Sequence, residues 1–89
     1  MMIESKKIII EARNVFEDNV CDEKVPWSSA FNSFHYYIDL LQKNQKSIPE
    51  STISIELLRC SELLRLKRVY PRGFSKGFIL NKNEYGRSL

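Results

Sequence analysis

Residues 51–80 read STISIELLRCSELLRLKRVYPRGFSKGFIL, and their periodicity decides the fold. Placed at 100° per residue, Ser51 to Tyr70 makes a helix on which Ile53, Leu57, Cys60 and Leu64 share one ridge. Ile55, Leu58, Leu66 and Val69 share a second ridge, nearly opposite the first. A surface helix carries one apolar stripe, so a helix with two must be covered on two sides. The expectation is a central, two-faced third helix, with Leu57 and Leu64 against one neighbour and Leu58 and Leu66 against another. Two polar seams separate the ridges: Ser54, Ser61, Arg65 and Arg68 on one side, Glu56, Arg59 and Lys67 on the other.

Pro71 ends this helix, because its ring has no N–H donor and disfavours helical geometry in the residue before it. The following Arg72-Gly73-Phe74-Ser75-Lys76-Gly77-Phe78-Ile79-Leu80 reads as a tight turn leading into a short strand. A hairpin pairing Val69 and Tyr70 with residues 78–80 is expected.

Working back toward the N-terminus, residues 5 to about 19 make a first helix with Ser5 as N-cap. Ile8, Ile9, Ala12, Val15 and Phe16 share its apolar face. A second helix begins at Ser28 or Ser29 and ends at Asn44, with Ala30, Phe31, Phe34, Tyr37, Ile38 and Leu41 on one broad face. Tyr36 and Leu40 form a small apolar flank beside it. Ser51 or Thr52 is placed to cap the third helix. The fold class is mainly α: three helices in one small domain covering residues 1–89, with a short C-terminal β-hairpin.

The totals agree with one domain. Eighty-nine residues leave no room for a second, and 43% apolar residues supply a core. No apolar run exceeds three residues, as in Ile8-Ile9-Ile10, too short to span a membrane, and the N-terminus lacks the apolar core of a signal peptide. Cys21 and Cys60, far apart in sequence, read as two thiols in a reducing compartment, so a cytoplasmic location is expected.

The net charge of +3 conceals a gradient. Residues 1–58 hold six Lys and Arg against nine Asp and Glu, giving −3; residues 59–89 hold eight against two, giving +6. Such asymmetry points either to a polyanion-binding end or to two ends that neutralise each other.

No catalytic, metal or cofactor motif occurs. His35, the only histidine, stands four residues before Asp39 and could contact it, but no Ser or Cys nucleophile is set beside the pair. One His and two distant Cys cannot make a zinc site. The G-F-S-K-G of residues 73–77 has the wrong spacing for a phosphate loop and precedes no helix. Neither enzymatic activity nor a cofactor, metal or small-molecule substrate is expected.

Two limited resemblances bear on partners. Arg72-Gly73-Phe74 is similar to the start of an RNA-recognition consensus, but Ser75 and Lys76 break the match. A leucine-rich helix followed by a basic, glycine-containing hairpin resembles a winged helix-turn-helix over about a third of the chain, without the separate short helix that motif needs. The leading expectation is a small regulator that binds DNA or RNA through Arg65, Arg68, Arg72 and Lys76, with Phe74 or Tyr70 stacking on a base. The alternative is a protein-binding adaptor or inhibitor, of the kind found among phage and mobile-element proteins. It would be homodimeric or bound to an acidic protein surface, with Trp27, Tyr36 and Leu40 as its patch.

Overall fold

The computed structural model describes residues 3–74. It contains three helices: α1 (Ile3–Cys21), α2 (Trp27–Lys43) and α3 (Glu50–Val69), and no strand among the described residues. Of the hairpin expected after α3, Val69 is instead the last residue of the helix, and residues 78–80 lie outside the described residues.

Three prolines set the boundaries. Pro26 and Pro49 are the N-caps of α2 and α3, each in an extended conformation. Their carbonyls accept the first helical bonds, from Ser29 and Ala30 in one case and from Thr52 and Ile53 in the other. Ser51 and Thr52, expected as caps, therefore lie inside α3, as Ser5 does in α1, and α2 begins just before Ser28 and Ser29. A proline before the first turn fixes its own φ and leaves its carbonyl to start the ladder, so no side-chain cap is needed. Pro71 does terminate α3, with Tyr70 as C-cap.

The helices run up, down and up. Asn19 Nδ2 donates to Ser33 Oγ across the α1–α2 turn, and Trp27 Nε1 donates to the Leu64 carbonyl across α2 and α3. The most extensive interface joins α1 to α2, the next α2 to α3, and α1 touches α3 least. The central helix is thus α2, not α3. Its face of Ala30, Phe34, Tyr37, Ile38 and Leu41 is buried as its periodicity predicts. On α1 the buried face is Ile9, Ala12, Phe16 and Val20, while Ile8 and Val15 are exposed.

Helix α3 departs most from expectation. Its buried residues are Thr52, Glu56, Arg59, Cys60, Leu63, Leu64 and Lys67. The Glu56–Arg59–Lys67 seam therefore points into the protein, and the Ser54–Ser61–Arg65–Arg68 side points to solvent. Of the first ridge, Cys60 and Leu64 are buried, Ile53 is half-buried and Leu57 is 41% exposed. Of the second, Leu58 and Val69 are 60% and 53% exposed. Leu66 of the second ridge packs against the core and Ile55 is half-buried, so each ridge is split between core and solvent, with Leu58 and Val69 on the outside.

Candidate functional site

The inward polar seam of α3 is chemically saturated. Arg59 Nε and Nη2 donate to the two oxygens of Glu56 at 3.0 Å, and Nη1 donates to Glu17 Oε2 of α1 at 2.7 Å. Tyr37 Oη of α2 donates to Glu56 Oε1 at 2.5 Å. One guanidinium thus ties two carboxylates and a phenol from three helices. No buried side-chain nitrogen or oxygen among the described residues lacks a partner.

Burial, together with the Glu56 carboxylate, pushes the Tyr37 phenol well above its ordinary value. Burial alone would lower the Arg59 guanidinium, but the Glu56 hydrogen bonds and the neighbouring carboxylates more than offset this and raise it. Burial pushes the Cys60 thiol up to about 12, which removes it as a nucleophile near neutral pH.

Lower on the same seam, Lys67 Nζ donates to the Asp22 carbonyl at 2.9 Å and lies 3.5 Å from that of Val20. The last turn of α1 has no basic residue of its own, so a cation from α3 satisfies its end. The Phe74 amide donates to the Cys21 carbonyl, 3.3 Å away, and completes the cap. Gly73 permits this approach: its φ is +84°, and an added Cβ would stand 2.1 Å from the Cys21 oxygen.

These contacts change the meaning of the charge gradient. Arg59 and Lys67 are spent on internal partners, and the basic end of α3 lies beside the acidic end of α1, where Glu17, Asp18, Asp22 and Glu23 gather. Of the cations assigned to phosphate, Arg65, Arg68 and Arg72 are exposed, while Lys76 lies outside the described residues. Arg65 forms a side-chain pair with Glu62, one turn back on the helix. That hydrogen bond holds the Glu62 carboxyl below its ordinary value and raises Arg65. The Arg68 guanidinium carbon lies over the Trp27 ring, 4.0 Å from its centroid. Phe74 is half-buried against the core, its ring in edge contact with that of Tyr70.

Of the patch of Trp27, Tyr36 and Leu40, the last two lie one turn apart on α2 and Trp27 is not brought to them. Nine residues separate Trp27 from Tyr36, which sets them on opposite sides of α2. Trp27 stacks on Phe31 at 5.0 Å and also carries Arg68 over its ring. Leu40 packs against the core, and Tyr36 alone is left 56% exposed. His35 makes edge contacts with Phe31 and Phe34, and Asp39 pairs with Lys43 instead.

What remains is an outer seam on α3 in which Ile55, Leu58, Glu62, Arg65 and Val69 follow one another at three- and four-residue steps. Leu58 and Val69 are its exposed apolar members, with the Glu62–Arg65 pair between them. Periodicity groups Ile55, Leu58 and Val69 with Leu66 on one ridge, but Leu66 packs against the core and only Leu58 and Val69 of the four are exposed. Among the described residues no group of three His, Cys, Asp or Glu is placed to hold a metal, and no helix is long and apolar enough to cross a membrane. Comparison with protein-family models, with curated proteins and with solved structures gives no match.

Proposed function

We propose that this chain is a non-enzymatic protein-binding module, an adaptor or inhibitor that docks through the outer seam of α3. One observation carries this: two large apolar side chains, Leu58 and Val69, stand exposed in helical register on either side of a charged pair. A partner helix or groove reads anchors at such spacing, and burying two of them drives association. The thiol form of Cys60 is in keeping with a reducing, cytoplasmic setting.

A second function, binding of DNA or RNA, draws support from Arg65, Arg68 and Arg72, which stand exposed toward one end of the protein. It ranks behind docking because Arg65 and Arg68 already have partners and four carboxylates stand nearby on α1 and the turn after it.

Purification of tagged protein without nuclease separates the two. Docking predicts a stoichiometric protein companion, a second copy included, that is lost in Leu58→Asp and kept in Arg72→Glu. Co-purifying nucleic acid that leaves at high salt, in wild type and Leu58→Asp alike, would overturn it in favour of the second.

A further inference from the structure

We infer, on the basis of the docking role just proposed, that the partner on this seam is a second copy of the chain, packed as an antiparallel pair of α3 helices. Residues 55, 58, 62, 65 and 69 alternate steps of three and four, the spacing with which one helix lies along another. A two-fold contact must be self-complementary: if one residue meets another, the second must meet the first across the axis. The outer seam of α3 meets this condition in one alignment.

With the axis between Glu62 and Arg65, Arg65 of each copy faces Glu62 of the other. Leu58 of each copy then faces Val69 of the other. The pair that Glu62 and Arg65 form within one helix becomes a ring of two carboxylates and two guanidinium groups. Both side chains have surface free for this, Arg65 being 60% and Glu62 41% exposed. A parallel alignment would instead bring Arg65 to Arg65 and Glu62 to Glu62, a like-charge contact. The antiparallel pair also opposes the two helix dipoles favourably.

Sedimentation equilibrium on the full chain tests this. Wild type is expected to dimerise, and Leu58→Asp to be monomeric with unchanged helicity. Glu62→Arg and Arg65→Glu should each raise the dissociation constant at least about tenfold, because each sets like charges across the axis. An equimolar mixture of those two variants should recover a one-to-one dimer, since each then supplies what the other lacks. A wild type monomeric up to about 1 mM overturns the second copy. So does a dimer indifferent to both charge reversals, or a mixture that stays monomeric. The docking role itself would fall separately, if Leu58→Asp released no companion of any kind.

Discussion

Arg59 reaches Glu17 from the buried side of α3, with 2.7 Å between Nη1 and Oε2, and so links the first and third helices, which otherwise touch least. The guanidinium is 4% exposed and holds Glu56 as well, so its removal would strand two carboxylates in or near the core. Arg59→Ala is expected to cost about 3–5 kcal/mol in urea denaturation, the penalty of an unpaired buried charge. Arg59→Lys keeps the charge but not the fork that spans Glu56 and Glu17, and should fall between wild type and Ala. A loss below about 1 kcal/mol for Arg59→Ala would show that the network does not hold the helices together.

Stability should fall at alkaline pH. Cys60 and Tyr37 both have folded-state values raised above their ordinary 9.0 and 10.0, so the folded protein keeps protons that the unfolded chain gives up. Their contribution is whole below about pH 9 and is lost as pH rises beyond it, at up to about 1.4 kcal/mol per pH unit for each group. Urea titrations between pH 8 and 11 should therefore show a decline that begins near the thiol's ordinary value. Cys60→Ala should delay the onset by about one pH unit, to where the phenol begins to ionise. An identical onset in the variant would contradict this.

The turn after α3 is fixed by Gly73. Gly73→Ala meets both an unfavourable φ and the Cys21 carbonyl, and is expected to undock Phe74 at a cost of about 1–3 kcal/mol. Amide exchange at Phe74, whose N–H bonds Cys21, should rise while exchange in the middle of α2 stays slow. Unchanged protection at Phe74 would sink the assignment.

Nucleic-acid binding has its own check. If Arg65, Arg68 and Arg72 contact phosphates, Arg65→Glu with Arg72→Glu should abolish binding of a labelled duplex or single strand and leave the helical circular-dichroism signal intact. The logarithmic salt slope of the wild type should also drop by about one unit for each arginine neutralised singly. Docking through α3 predicts instead that the wild type binds neither probe even at about 50 mM salt.

The helices were legible because prolines punctuate them: Pro26, Pro49 and Pro71 fix boundaries to within a residue or two of where periodicity puts them. The inward face of α2 was legible because its apolar residues gather in one arc. The orientation of α3 was not, since its apolar and polar residues alternate around the whole circumference. Glu56, Arg59 and Lys67 look like a solvated seam until their partners are known. Those partners are Tyr37, Glu17 and the carbonyls at the end of α1, all distant in sequence. A charge that is matched only through tertiary contact leaves no periodic signal. The same ambiguity made α3 look more basic on its surface than it is, because Arg59 and Lys67 are inside.

Helix α3 turns its ionic seam inward and leaves Leu58 and Val69 outside, and one comparison tests this most directly. Leu64→Ala and Leu58→Ala are the same chemical change on the two ridges, with Leu64 5% and Leu58 60% exposed. Measured by urea denaturation at a dilution where any dimer has separated, Leu64→Ala should cost about 2–5 kcal/mol and Leu58→Ala no more than about 0.5 kcal/mol. Equal losses at the two positions would mean that both ridges are buried in the monomer and would contradict the account.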